Sequence, residues 1–111
     1  MTRRTERVNA LLRQEISWVI TRHLKDPRLS SLVSITEVDC SPDLKHARIF
    51  VSVLGDQSTR DSTLKGLKSA AGFIHRMVNR QLNLKSIPKL EFHIDQAIER
   101  GTEMSDRIKD L

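Results

Sequence analysis

The stretch Ser69-Ala70-Ala71-Gly72-Phe73 lies inside an amphipathic run from about residue 58 to residue 84, and its interpretation decides the fold. Apolar residues in this run recur at spacings of three and four, which is typical of one helical stripe that faces a core. Gly72 stands in the middle, where glycine costs about 1 kcal/mol relative to alanine. Phe73 and Met77 leave the stripe of a straight helix, so the pattern predicts a helix, a kink at Gly72 and a second helix. The stripe consists of Leu64, Leu67, Ala71, Ile74, Val78 and Leu82.

The flanks of this segment are strongly basic. Between residues 59 and 89, seven lysines and arginines stand against one acid, Asp61, which gives a local charge of +6, whereas the whole chain carries +5. Clustered cations of this kind are typical of a phosphate-binding surface, and they are also found on solvated faces that keep a domain in solution. On a helical wheel the first four of the following cations share one side, and all six are candidate contacts: Lys65, Lys68, Arg76, Arg80, Lys85 and Lys89.

The charge distribution along the chain indicates the class of partner. Residues 1–28 carry +4, residues 29–58 carry −2, residues 59–89 carry +6, and residues 90–111 carry −3. With a sequence pI near 9.9, this layout favours an extended polyanion. An anionic membrane surface is the rival, but the apolar stripes of both predicted helices are needed by a core, which disfavours it.

Length and composition predict one globular domain. A chain of 111 residues can bury roughly two thirds of its unfolded surface without a metal or a disulfide. We expect the domain to span residues 1–95 and residues 96–111 to form a loosely helical or frayed tail, because apolar residues are sparse there. The single cysteine, Cys40, cannot form an internal disulfide and fits a reducing compartment. We find no signal peptide or membrane span and expect a cytoplasmic protein.

Periodicity predicts an α+β fold in the order α-β-β-α-kink-α-β, with a three-stranded sheet and helices packed on one face. The first helix covers residues 4–25. The strands run from Leu32 to Cys40, from His46 to Leu54 and from Lys89 to Asp95, and the turn residues Ser41-Pro42-Asp43 make the first two a hairpin.

Two local signals refine this prediction. Val33 and Ile35 point to one side of the first strand while Leu32 and Val38 point to the other, which indicates a bulge or two buried faces. Ser58 and Asp61 have the spacing of a capping box at the start of the long helical run.

No catalytic or metal-binding pattern is present in the sequence. Cys40 has no CxxC partner, the four histidines are scattered, and there is neither a GxGxxG nor a GxxxxGK motif. Asp39, Cys40 and His46 could in principle serve nucleophilic catalysis, but a turn-proximal aspartate and a small buried thiol explain them more simply. We therefore predict no enzymatic activity, no cofactor, no metal and no small-molecule substrate.

Four short motifs together resemble the ribosome-binding factor A family. They are Thr5-Glu6-Arg7-Val8-Asn9, Lys25-Asp26-Pro27-Arg28, Ala70-Ala71-Gly72 and Ile98-Glu99-Arg100-Gly101. The resemblance implies a type II KH domain in which an Ala-x-Gly kink replaces the usual GxxG loop. It also implies a factor that binds the small (30S) ribosomal subunit during late maturation of 16S rRNA and is linked to growth in the cold. Family members often carry a longer charged C-terminal tail, and this chain stops soon after Arg107-Ile108-Lys109.

The resemblance adds Ala70, Ala71 and Gly72 to the candidate RNA contacts. A kink with one glycine should grip a short single strand less well than a GxxG loop, so we expect the cations to bind through charge and shape, with little reading of bases. The leading hypothesis is a monomeric RNA-binding assembly factor. The alternatives are a small basic DNA-binding or transcription-associated protein and an adaptor whose basic face meets an acidic protein.

Overall fold

The computed structural model describes residues 3–23, 33–82 and 86–95. Within these ranges, two helices and three strands follow one another in the order α1, β1, β2, α2, β3, which confirms the predicted α+β class. The predicted tail, residues 96–111, and the end of the first helix beyond residue 23 lie outside the described residues. The bounds are α1 Arg3–His23, β1 Val33–Cys40, β2 His46–Val53, α2 Gln57–Leu82 and β3 Lys89–Ile94.

The sheet is mixed and has the order β1-β2-β3. Strands β1 and β2 form the predicted antiparallel hairpin, whereas β3 runs parallel to β2, with His46 opposite Lys89 and Val51 opposite Ile94. Parallel neighbours need a long crossover between them. Helix α2 is that crossover, and its C-terminal end therefore lies near the start of β3.

The irregularity predicted in the first strand is a β-bulge. Ile35 pairs with Val51 and Glu37 pairs with Phe50, so Thr36 is the extra residue. A side chain's face alternates along a strand, and one inserted residue reverses that phase. Ile35 and Val38, which lie before and after the bulge, consequently face the same core. The Thr36 hydroxyl donates to Asp95 Oδ2 at 2.6 Å and so ties the bulge to the end of β3.

Both helices pack on one face of the sheet, as predicted. Strands β2 and β3 present alternate residues to that face, β1 presents Ile35, Val38 and Cys40 around its bulge, and the fully buried side chains of the two helices meet them there. The opposite face of the sheet carries Arg48, Phe50 and His93 and is only partly covered. The core contains, among others, Leu12, Ile16 and Val19 of α1, Leu67, Ile74 and Val78 of α2, and Ala47, Ile49, Val51, Leu90 and Phe92 of the sheet.

The prediction that the helix is interrupted at Gly72 is wrong. Helix α2 is helical at every residue from Gln57 to Leu82, so the two expected helices are one. Gly72 lies on the exposed side of this helix. The cost of a glycine in a helix interior is a loss of stability, and by itself it does not require the helix to bend.

The apolar pattern also explains why a second helix with a rotated apolar face is not needed after Gly72. Leu67, Ile74 and Val78 are fully buried at spacings of seven and four, which keeps one stripe in phase across the glycine. Phe73 does not return to the core: its side chain is 37% exposed. Met77 packs at the edge of the core. The two residues that motivated the kink are thus accommodated by a continuous helix.

The start of α2 differs from the predicted capping box. Asp56, rather than Ser58, is the capping residue, because the Thr59 N–H donates to Asp56 Oδ1 at 2.8 Å. This hydrogen bond holds the pKa of Asp56 below its ordinary value. Asp61 instead accepts from the Gln57 amide at 2.8 Å. Gly55 precedes the cap with φ at +137°, a conformation open chiefly to glycine.

Candidate nucleic-acid interface

The exposed side of α2 carries a row of cations. Lys65, Lys68, Arg76 and Arg80 are all exposed, while the buried residues of the helix occupy its other side. With 3.6 residues per turn, these four positions fall within an arc of about 120°. The sequence predicted that the four cations share one side of the helix, and in the structure that side is exposed to solvent. We call this set, together with Gly72, the basic face of α2.

The cations of the basic face are free to meet a polyanion. Within the described ranges, none of the four forms an ion pair with a carboxylate. Arg48 on the open sheet face is different, because its guanidinium pairs with Asp39 at 2.5 Å. A cation that already pairs with a carboxylate gains less binding free energy from a phosphate than an unpaired cation does. The helix is therefore the better phosphate-binding surface of the two.

Gly72 lies at the centre of the basic face. A Cβ built on Gly72 would be 3.6 Å from Nη1 of Arg76, which is ordinary van der Waals contact. Gly72 has no side chain of its own, so a phosphate that approaches the helix backbone there would also meet the guanidinium of Arg76. Ala70 and Ala71 do not share this position. They are half-buried and pack against the core.

Of the two remaining predicted cations, the structure describes one, and it lies on β3. Lys89 is exposed at the start of β3, and its N–H donates to the carbonyl of Lys45 at 2.9 Å. Lys85 lies outside the described residues. Sequence reasoning missed Lys45, because nothing in local periodicity shows that β2 and β3 begin side by side. A parallel pairing of the two strands is the signal that brings these two lysines together.

The open face of the sheet is a poorer candidate for a polyanion. Phe50 and His93 stack with ring centroids 5.7 Å apart, and the Arg48 guanidinium lies 5.7 Å from the Phe50 centroid. Around them stand carboxylates, among which Glu91 lies 3.8 Å from the His46 ring nitrogen. Mixed charge of this kind weakens attraction to phosphates.

The structure does not assemble the nucleophilic group considered above. Burial and, secondarily, the charge of Asp39 raise the pKa of the Cys40 thiol to about 11, so the thiol is protonated at neutral pH. Asp39 pairs with Arg48, and His46 lies beside Glu91. In the described part of the chain, no three His, Cys, Asp or Glu side chains are grouped to hold a metal ion. Nor does any helix there combine the length and apolar character needed to cross a bilayer.

Comparison with known proteins gives one consistent result. Residues 4–108 match the family model described as ribosome-binding factor A. A relative named ribosome-binding factor A from Acetivibrio thermocellus is 45% identical over 107 residues, which cover 96% of this chain and 87% of that protein.

Two structures from Thermus thermophilus have a similar fold. The crystal structure of its ribosome-binding factor A matches with a TM-score of 0.70 and 22% identity over 81% of this chain and 94% of that chain. A homology model of the same factor, fitted into the cryo-EM map of its complex with the 30S subunit, matches with a TM-score of 0.66 and 25% identity. That match covers 79% of this chain and 91% of the other.

Proposed function

This chain belongs to the ribosome-binding factor A family, and we propose that it is an assembly factor that binds the 30S ribosomal subunit through the basic face of α2. The single observation that carries the proposal is the row of four exposed cations on one side of one helix, none of which pairs with a carboxylate among residues 3–23, 33–82 and 86–95. Its relatives bear the name of a ribosome-binding factor, and the Thermus protein is fitted to a map of a 30S complex.

The geometry suits a folded RNA backbone. From Lys65 to Arg80 the row is about 22 Å long at 1.5 Å of rise per residue, so it can follow several successive phosphates. Each neutralised phosphate releases condensed counterions, which makes affinity fall with salt. Four contacts would give a slope of log affinity against log salt of about −3 to −4. The exposed Gly72 lets the RNA backbone approach the helix between the cations.

The proposed binding does not read bases along α2. Lysine and arginine pair with phosphates in any sequence, and Phe73 is the one aromatic side chain on this helix. We therefore assign recognition to the charge and shape of folded 16S rRNA. The proposal extends to a role in late maturation of that rRNA, to support of growth in the cold and to a cytoplasmic location. The proposal includes a non-enzymatic role. It also includes a monomeric state, because the buried residues of both helices belong to one core.

Co-sedimentation with purified 30S subunits over a salt series tests the proposal. We expect association at low salt and a linear loss of log affinity with log salt. A flat salt response would contradict binding through the cations. Displacement by duplex DNA as readily as by 16S rRNA would favour a DNA-binding protein, and association that survives nuclease digestion of the RNA would favour an acidic protein partner.

A further inference from the structure

A cleft opens at the end of the molecule where α1 begins and β3 begins. It encloses about 550 Å³ between the first turn of α1, the turn between β1 and β2, and residues 86–88. Its lining is half apolar, and the apolar residues are Val8, Leu44, Ile87 and Pro88. Two cations, Arg4 and Lys45, line the same cleft.

The turn that forms one wall holds a leucine in an unusual conformation. Leu44 has φ at +58°, in the left-handed region that glycine and asparagine normally occupy at this kind of hairpin position. Its N–H donates to the Ser41 carbonyl at 2.9 Å. Asp43 Oδ1 accepts from the Ser41 hydroxyl at 2.6 Å and from the Lys45 N–H at 3.0 Å, which braces the loop. A leucine kept here at the expense of backbone strain suggests that its side chain is needed.

The chemistry of the cleft fits a flat ring joined to an anion. Apolar side chains can pack against the faces of a ring, and the guanidinium of Arg4 and the ammonium of Lys45 can hold a phosphate at the rim. The Asp43 carboxylate also lines the cleft, but it is engaged by the loop. No aromatic side chain is among the lining residues, so stacking that discriminates between bases is absent.

One wall of the cleft contacts the C-terminal half of α2. The ring of His75, the residue before Arg76, lies 3.2 Å from the carbonyl oxygen of Ile87, which forms a wall of the cleft. On the other side Lys89 is joined to Lys45 through a backbone hydrogen bond. These two contacts place the cleft beside the C-terminal half of α2 and the start of β3, within reach of RNA bound along the helix.

We propose that this cleft receives one unpaired nucleotide of the RNA that lies along α2, with its base against Leu44 and Ile87 and its phosphate between Arg4 and Lys45. This inference rests on the proposed function. It adds a preference for an unpaired nucleotide of any base, which a row of cations alone does not provide.

Fluorescence anisotropy with three labelled RNA hairpins tests the proposal. One hairpin is fully paired, one carries a single unpaired adenosine, and one carries an abasic residue at that place. We expect the unpaired adenosine to bind roughly five- to tenfold more tightly than either of the others, the order expected for burying one face of a base. An unpaired uridine should behave like the adenosine.

Two variants locate the effect. Leu44→Asn keeps a residue that tolerates the left-handed conformation, so it should fold while removing the apolar wall. Arg4→Ala removes one phosphate contact. Leu44→Asn should abolish the preference for the unpaired adenosine. Arg4→Ala should weaken binding of the adenosine and abasic hairpins alike, because both carry the phosphate. Both variants should leave affinity for the paired hairpin within about twofold. Arg7→Ala is the matched control, because Arg7 is exposed on the same turn of α1 and does not line the cleft.

The outcomes separate this proposal from the proposed function. Equal binding of all three hairpins by the unaltered chain would overturn the cleft assignment and leave the basic face intact, as would a preference that persists in Leu44→Asn. Competition by free adenosine monophosphate at the affinity of the unpaired hairpin would make the cleft a mononucleotide site and overturn it as well. Failure to bind any RNA would remove both proposals.

Discussion

The guanidinium of Arg76 lies one helical turn from Gly72, with Nη1 3.6 Å from the point where a Cβ on Gly72 would be. This spacing leaves room for a methyl group without displacing anything. The continuous α2 therefore tolerates the glycine and does not depend on it for space. What the glycine contributes is access to the helix backbone in the middle of the basic face, at some cost in stability.

Gly72→Ala should stabilise the protein. Alanine fits the space and removes the cost of glycine in a helix interior, so we expect a gain of about 0.5–1 kcal/mol in the free energy of unfolding. In a domain of this size that corresponds to a rise in Tm of roughly 2–6 °C. Thermal unfolding followed by circular dichroism measures it. A fall in Tm would show that Gly72 has a conformation that alanine cannot adopt, and it would support the predicted kink in the helix at Gly72.

Gly55→Ala should have the opposite effect and serves as the matched comparison. Gly55 has φ at +137°, and a Cβ there would lie 2.8 Å from Cγ2 of Thr59. Backbone strain and displacement of the first turn of α2 should together cost about 2 kcal/mol or more. The same unfolding experiment should give a lower Tm. An unchanged Tm would contradict the described entry into α2.

Asp56→Ala should lower the Tm by roughly a few degrees at neutral pH, because the Thr59 N–H loses its acceptor at the helix start. The pKa of Asp56 is lowered in the folded state, so its charge stabilises the fold above the ordinary value of 3.8. That contribution is lost as pH falls through the lowered pKa. The difference in Tm between the two proteins should shrink below about pH 4. A difference that stays constant down to pH 2 would contradict a charged cap.

The Cys40 thiol should be unreactive in the folded protein. Its pKa is raised from 9.0 to about 11, which at pH 8 lowers the thiolate fraction about 100-fold relative to an ordinary thiol. Alkylation by iodoacetamide, followed by mass spectrometry, should therefore be slow until denaturant is added. Cys40→Ser should leave 30S association unchanged. Rapid alkylation of the native chain, or loss of association in the variant, would contradict a purely structural cysteine.

Much of the fold could be predicted because the spacing of apolar residues along the chain identifies each helix and strand. The alternation in β2 and the spacing of Leu67, Ile74 and Val78 each identify an element and the face that it buries. The sequence indicated a bulge or two buried faces in the first strand, and the strand pairing shows that it is a bulge at Thr36. The grouping of the α2 cations followed from the same helical geometry.

Other features could not be predicted because they depend on stability or on long-range pairing. The kink at Gly72 was expected from a local cost, and the packing of the whole helix against the sheet outweighs that cost. The proximity of Lys45 to Lys89 arises from the parallel pairing of β2 with β3. The cleft joins Arg4 to these elements from the far end of the chain. The left-handed backbone conformation of Leu44 likewise cannot be predicted from the pattern of apolar residues.

The most direct test of the account compares two double charge reversals in 30S co-sedimentation at physiological salt. Arg76→Glu with Arg80→Glu alters the basic face, and Arg7→Glu with Arg13→Glu makes the same change in charge on exposed positions of α1. We expect the first to lower affinity at least about tenfold, which corresponds to about 1.4 kcal/mol, and the second to lower it much less, with both variants folded by circular dichroism. Equal losses in the two variants, or unchanged association of the folded Arg76 and Arg80 variant, would contradict binding through the basic face of α2.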